Sequence, residues 1–159
     1  MGAIFNVFPL ILIPVLIYNI WAFGSTAVGT SARDVREHLQ DRMFAMPMAS
    51  SEPAIGAAAA MPNVGVEWIV SFGDLMVLLA LVLLFIELLK STSTGTAAIF
   101  NHALSMLVFI ICLVEFLLHP AFATSVFFLI MIMSLLDVLA GVVVTIVSAR
   151  RDVEFAGQH

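Results

Sequence analysis

The sequence predicts an all-α integral membrane protein, a bundle of four transmembrane helices with an amphipathic surface helix in the first loop. Three observations predict this fold. Hydrophobic residues make up 62% of the chain and charged residues only 11%, against roughly a quarter charged residues in an average soluble domain. The apolar runs reach the ~20 residues that a helix needs to cross a bilayer. Polar residues inside these runs recur on one helix face, as they do where a face turns away from lipid.

The same composition excludes or disfavours several classes of protein. A soluble single domain is excluded, because too few residues are charged. The net charge is -5, and the sequence has no run of basic residues that could bind along a phosphate backbone, so we expect no binding to nucleic acid. The single cysteine, Cys112, lies in an apolar run and cannot form a disulfide within one copy. The familiar hydrolase, metalloprotease and phosphate-loop motifs are missing from the sequence, so we expect no enzyme.

The first predicted span covers residues 4–23. It lacks the basic start of a secretory signal, so we expect it to be retained. An external loop, residues 24–65, follows. Within it, Val35, Leu39 and Met43 form an apolar stripe over 31–44, which predicts an amphipathic helix lying on the membrane surface.

Three further spans complete the predicted bundle, and all 159 residues form one membrane domain. The predicted spans cover residues 66–89, 97–119 and 123–148. An even number of spans puts both termini on one side of the membrane. Lys90 and the pair Arg150 and Arg151 favour the cytoplasm for that side.

Carboxylates within the predicted spans are the most informative residues, because burying them in hydrocarbon is costly and no Lys or Arg lies inside a span. Asp137 is expected towards the cytoplasmic half, and Glu87 is expected to be hydrated beside Lys90 at the membrane edge. The predicted intramembrane polar set, for helix contacts or an ion path, is Asp74, Asn101, Ser105, Glu115, His119, Ser134 and Asp137. Of these, Asp74, Glu115 and His119 are expected in the external half.

Three roles are open for these polar residues. In the first, functional interpretation, they form a proton or cation path from His119 and Glu115 through Asp74 to Asp137. Alternatively, hydrogen bonds to hydroxyl and backbone groups hold the helices in register. In the third interpretation, an Arg or Lys of a partner protein neutralises Asp137 or Glu115.

Histidines in the third span suggest a haem or pigment ligand, because imidazole is a common axial ligand. His102 and His119 are 17 residues apart on one predicted helix, or about 25 Å, so they cannot hold one haem between them. A single ligand, His102, remains the cofactor alternative. Histidines at the membrane interface are the simpler explanation for both residues.

The external loop contains a weak copper pattern, because thioether sulfur is a soft ligand that suits Cu(I). Its residues are His38, Met43, Met46 and Met48. Methionine also fills apolar surfaces, so packing is the preferred interpretation and we expect no metal and no cofactor.

Three segments carry a resemblance to known proteins: FPLILIPVLIYN at 8–19, HALSMLVFIICLVEFLL at 102–118 and LLDVLAG at 135–141. Together they resemble small uncharacterised four-span inner-membrane proteins of alphaproteobacteria. The resemblance covers the four predicted spans and leaves out much of the external loop. It implies a location in a bacterial inner membrane, and no activity or site residue follows from it.

The leading functional hypothesis is a non-enzymatic accessory or assembly subunit of a larger inner-membrane complex. Nearly all of the chain is predicted to lie in the membrane, and the loop is too short for a substrate domain, so contacts through helix faces are its expected use. The expected partners are the bilayer and other membrane subunits. A small proton or cation translocator is the main alternative, and a pigment, haem or copper protein is a further one.

Overall fold

A computed structural model describes residues 8–27, 29, 31–47, 67–90 and 96–156. Most of this part of the chain is helical. The helices are α1 (Leu12–Ala27), α2 (Ala32–Leu39), α3 (Phe72–Lys90), α4 (Thr96–Leu118) and α5 (Ser125–Ala156). Strands β1 (Arg42–Pro47) and β2 (Glu67–Ser71) lie between α2 and α3, and a 3-10 turn, Pro120–Phe122, joins α4 to α5.

Three helical segments within the described residues are long and apolar enough to cross a membrane, which fits a multi-pass membrane protein. They are Phe72–Lys90, Ile99–Leu118 and Ser125–Val147. The apolar part of α1, Leu12–Ser25, is shorter, so four spans are not established, and the predicted start of its span lies outside the described residues. Only 22% to 33% of each long segment is buried inside the protein, which leaves most of the apolar surface facing outwards.

The core lies between α3, α4 and α5, with α1 packed along one side. α5 makes its most extensive contacts with α4 and α3. On α3 the buried positions Met76, Ala80 and Leu84 are four residues apart, as expected for one helix face. The main buried side chains from the other helices are Ile11, Val15, Tyr18, Val108, Cys112, Phe127 and Ile130.

The predicted surface helix is present but shorter than expected. It ends at Leu39, and its apolar side is buried through Val35 and Leu39. The prediction that it continues to residue 44, with Met43 on its stripe, is wrong. Residues 42–47 are extended because they pair antiparallel with β2, a partner distant in sequence that helical periodicity does not detect. The fold is therefore not entirely α-helical.

The second predicted span also begins later than expected. Residues 67–71 form β2, and the helix starts at Phe72 rather than at 66. Asp74 accepts hydrogen bonds from the Ser71 backbone nitrogen at 2.9 Å and from its hydroxyl at 2.7 Å. The Ser71 hydroxyl in turn lies 3.2 Å from the Asp74 nitrogen, so this reciprocal cap fixes the helix start.

Candidate functional site: polar clusters at the two ends of the bundle

Glu87 is the most buried charged residue among those that the structure describes, with no exposed surface. It continues the buried face of α3, three residues after Leu84. Its carboxylate accepts hydrogen bonds from the Leu10 backbone nitrogen at 2.9 Å and from the Asn101 side-chain amide. The Lys90 ammonium lies 3.2 Å from the same carboxylate. Three parts of the chain therefore converge on one acidic side chain.

Lys90 completes this cluster. Its ammonium donates to the Phe8 carbonyl at 2.8 Å and lies 3.5 Å from the Asn101 side-chain oxygen. The cluster joins the segment before α1, the end of α3 and the start of α4. The expectation that Glu87 is hydrated is wrong, because Glu87 lies on the core face of α3 and its charge is compensated inside the protein by Lys90.

Asp137 and Ser105 form a second buried pair at the same end of the bundle. The Ser105 hydroxyl donates to Asp137 at 2.6 Å, and both side chains are buried between α4 and α5. Ser105 lies one helical turn after Asn101. We call the set Glu87, Lys90, Asn101, Ser105 and Asp137 the Lys90 end.

His102 packs against α5 beside these groups. A Cβ atom at Gly141 would lie 2.3 Å from the His102 Nδ1 atom, so the absence of a side chain at Gly141 makes room for the ring. Among the described side chains, His102 Nδ1 is a buried polar atom without a hydrogen-bond partner. His102, the residue singled out as a possible haem or pigment ligand, thus lies inside a helix contact.

A different cluster occupies the other end, around the turn between α4 and α5. Asn19 donates from its side-chain amide to Glu115 at 3.1 Å and to the Val15 carbonyl at 3.0 Å. The Tyr18 hydroxyl donates to the Ala121 carbonyl at 3.2 Å and lies 2.7 Å from the Thr124 hydroxyl. These bonds attach α1 to α4 and to the turn.

Aromatic rings fill the same end. The Tyr18 ring contacts Phe122 and Phe127, with ring centroids 5.5 Å and 4.8 Å away. His119 packs its ring against Phe23 and Phe122, and its Nδ1 atom accepts a hydrogen bond from the backbone at 3.3 Å. We call this region the His119 end, consisting of Tyr18, Asn19, Glu115, His119, the 3-10 turn and Thr124.

The remaining predicted residues belong to neither cluster. Asp74 is exposed at the start of α3, where it caps the helix, so it does not connect Glu115 to Asp137. Ser134 is buried, and its hydroxyl donates to the Met131 carbonyl at 2.7 Å on its own helix.

An apolar layer separates the two ends. On α4, Ser105 and Glu115 are ten residues apart, or about 15 Å along the axis. The buried residues of α4 between them are Val108 and Cys112, and they belong to the same core cluster as Ile130. The Ser134 hydroxyl lies against Cys112 within this layer, and the polar residues of the two ends lie on either side of it.

The predicted copper residues in the part of the chain that the structure describes lie on two different elements. His38 lies on α2, where its ring nitrogen contacts the Asp34 carbonyl at 2.7 Å, whereas Met43 and Met46 are exposed on β1. Met48 lies outside the described residues. Within those residues no group of three or more His, Cys, Asp or Glu side chains is arranged to hold a metal ion.

Two features of these clusters, the burial of Glu87 and its contact with Lys90, were not predicted although the sequence contains signals for both. Glu87 continues the Met76, Ala80 and Leu84 spacing, which already indicates a buried position. Lys90 follows Glu87 by three residues, a spacing that brings side chains together on a helix. The Tyr18 contact with the turn, by contrast, joins residues more than a hundred positions apart, and no local pattern predicts it.

Comparison with known proteins adds no relative: no protein-family model, curated protein or solved structure matches this chain.

Proposed function

We propose that this chain is a non-enzymatic accessory or assembly subunit of a larger complex in a bacterial inner membrane, with α1 as a fourth span and both termini in the cytoplasm. The observation that carries the proposal is the ribbon formed by β1 and β2. It lies outside the helices of membrane-spanning length and exposes large apolar side chains that the described residues leave uncovered.

The ribbon has the properties of a surface that needs a partner. Met43, Phe44, Met46 and Trp68 are between 47% and 58% exposed. Within the described residues the sheet has two strands, so each strand also presents an edge that can pair with another chain. Such a ribbon is only marginally stable alone. Exposed aromatic and methionine side chains are enriched where protein partners bind.

The interior of the bundle supports the same proposal. Glu87, Glu115 and Asp137 each have a hydrogen-bond partner within this chain, so their arrangement suits a structural role in holding the helices together. The apolar layer around Val108 and Cys112 stands in the way of a proton path along α4.

Site-specific photo-crosslinking in native membranes tests the proposal. A photoreactive phenylalanine analogue is placed at Phe44, and at Phe85 as the matched control, since Phe85 is 61% exposed but lies on the membrane-length helix α3. We expect position 44 to yield one protein adduct of defined mass and position 85 to yield mainly lipid adducts. Lipid adducts alone at both positions would contradict the proposal.

A small proton or cation translocator is the second candidate function. The observation that favours it is the grouping of Glu87, Asp137 and His102 at the Lys90 end, where the buried Nδ1 atom of His102 has no partner among the described residues. Wild type and Asp137→Asn are reconstituted in liposomes containing a pH-sensitive dye. Translocation predicts a flux that the substitution abolishes, whereas equal flux from the two proteins removes Asp137 from any path.

A further inference from the structure

A cavity of about 490 Å³, with both polar and apolar lining residues, opens at the His119 end. This volume lies within the roughly 300–1,000 Å³ that is typical of small-molecule sites. Its walls come from α2, from the end of β2, from the starts of α3 and α5, and from the segment after the 3-10 turn. The polar residues that line it are Arg36, Gln40, Ser71, Asp74, Thr124 and Ser125. We call it the headgroup cavity.

The headgroup cavity has one charge of each sign. The Arg36 guanidinium is exposed and donates from Nη2 to the Ala123 carbonyl at 3.2 Å. A guanidinium carries five N–H donors, so this contact leaves others for a ligand in the cavity that Arg36 lines. Asp74 is exposed as well, and both of its contacts with Ser71 use the same oxygen, Oδ2. The cavity thus offers a site for an anion and a site for a cation.

An apolar cavity of about 410 Å³ adjoins the headgroup cavity. The two share Ala123, Thr124 and Ser125 as lining residues. The second cavity continues along Phe116, Phe128 and Leu129. The cavity with the charged side chains and the apolar cavity therefore meet at the start of α5, which is one of the helices of membrane-spanning length.

This combination fits one class of ligand. Membrane lipids place a charged headgroup beside a hydrocarbon chain at the depth where a spanning helix begins. A headgroup with a single negative charge would leave Asp74 facing a like charge. A headgroup with a phosphate and a primary ammonium matches both charged side chains, and the ammonium can also donate hydrogen bonds to a carboxylate.

We propose that these two cavities bind one phospholipid of the phosphatidylethanolamine class, with its phosphate on Arg36 and its ammonium on Asp74. One acyl chain lies against Phe116, Phe128 and Leu129. The proposal does not depend on the subunit role, because the cavities share only Ser71 with the β1–β2 ribbon and include none of its exposed apolar side chains.

Native mass spectrometry of the full chain in mild detergent tests this site. Phosphatidylethanolamine, phosphatidylcholine and phosphatidylglycerol with the same acyl chains are titrated separately. We expect the first to bind most tightly, because the choline group has no N–H donor and the glycerol headgroup has no cation. Free phosphoethanolamine is the control for the headgroup alone, and we expect it to bind much more weakly than the whole lipid.

Two charge substitutions separate the roles of the side chains. Arg36→Gln should lower the binding affinity for all three lipids about tenfold, because each has a phosphate. Asp74→Asn should weaken the binding of phosphatidylethanolamine most, by about tenfold, and that of phosphatidylcholine less, because choline has a charge but no N–H donor; the binding of phosphatidylglycerol should not be weakened. The asparagine side chain keeps an oxygen that can accept the Ser71 hydrogen bonds, so the start of α3 is retained. The matched controls are Arg33→Gln and Glu37→Gln, on the same helix but outside the cavity lining, and both should bind as wild type does.

Several results would overturn the proposal. Equal binding of the three lipids would do so, as would unchanged binding by Arg36→Gln and Asp74→Asn. Binding of free phosphoethanolamine as tight as that of the lipid would exclude a role for the apolar cavity. If a charge variant does not fold, as judged by circular dichroism, Ser125→Trp replaces it. This variant keeps both charges and fills the junction of the cavities, so it must lose lipid binding.

Discussion

The two ends of the bundle hold their helices together by different chemistry. At the Lys90 end, the buried Glu87 carboxylate contacts the Lys90 ammonium and the Asn101 amide. A second carboxylate, that of Asp137, accepts a hydrogen bond from the Ser105 hydroxyl. The His119 end relies on the Tyr18 hydroxyl and on aromatic rings packed edge-on or tilted, while its one carboxylate, Glu115, is only half-buried. One end therefore depends on charge balance and the other on apolar packing.

This difference indicates how each end should respond to mutation. A buried ion pair is sensitive to the loss of one partner, because the other charge is then left uncompensated in a medium of low polarity. Aromatic packing is distributed over many contacts, and removal of one hydroxyl leaves most of them in place. We therefore expect large single-residue effects at the Lys90 end and smaller ones at the His119 end.

Lys90→Met should have the largest effect. It keeps much of the side-chain volume but leaves Glu87 buried without its cation, and we expect the free energy of unfolding to fall by about 3–5 kcal/mol. Chemical denaturation in mild detergent measures the loss. In the double variant Lys90→Met with Glu87→Gln, the buried charge is also removed, so part of the stability should return. An equal loss in the single and double variants would contradict a role for charge balance.

Gly141→Ala should have the next largest effect, since the new Cβ atom would lie 2.3 Å from the His102 ring. The ring must move, and we expect a loss of about 1–3 kcal/mol. Combining it with His102→Ala should restore most of that loss, because the obstructing ring is gone. If the double variant is no more stable than Gly141→Ala, the contact between these residues is not the cause.

Tyr18→Phe should have a moderate effect. It keeps the ring contacts and removes the hydroxyl that bonds to Thr124 and to the Ala121 carbonyl, with an expected loss of about 1–2 kcal/mol. Thermal unfolding followed by circular dichroism measures it. The control Tyr18→Leu also removes the ring and should cost clearly more. Equal losses would mean that the rings add nothing at this end.

Asn19→Ala should have the smallest effect. Its amide makes one side-chain hydrogen bond across helices, to Glu115, and such bonds contribute about 0.6 kcal/mol on average in a membrane protein, so we expect a loss of less than about 1 kcal/mol. The same unfolding measurement applies. A loss as large as that of Lys90→Met would remove the distinction between the two ends.

The apolar helices were predictable because their length and composition are local properties of the sequence. The membrane-length segments Ile99–Leu118 and Ser125–Val147, and the break at His119 between them, lie within a few residues of the predicted 97–119 and 123–148, whereas helix α5 itself continues to Ala156. The strands were not predictable in this way, since 42–47 pairs with 67–71 across 48–66, a stretch outside the described residues. The spacing of Val35, Leu39 and Met43 indicates a helix when it is considered alone, and only the distant strand partner shows that Met43 lies on a strand.

The polar residues likewise divide into those whose burial follows from local spacing and those whose burial or exposure depends on distant contacts. Ser105 and Asp137 were expected in the interior, and the spacing along α4 and α5 identified their faces correctly. The burial of Glu87 depends on the segment before α1 folding over the end of α3, which brings the Leu10 nitrogen to its carboxylate. The exposure of Asp74 depends on β2, which moved the start of α3 beyond the predicted boundary.

The subunit role is tested most directly by the size and composition of the particle extracted from native membranes in mild detergent. Wild type is compared with the double variant Phe44→Ser and Trp68→Ser, and with Phe85→Ser as the control on α3. We predict that wild type and the control migrate with a stoichiometric membrane-protein partner, and that the ribbon variant loses it. A wild-type protein that migrates as a single 17.2 kDa chain would contradict the proposed function.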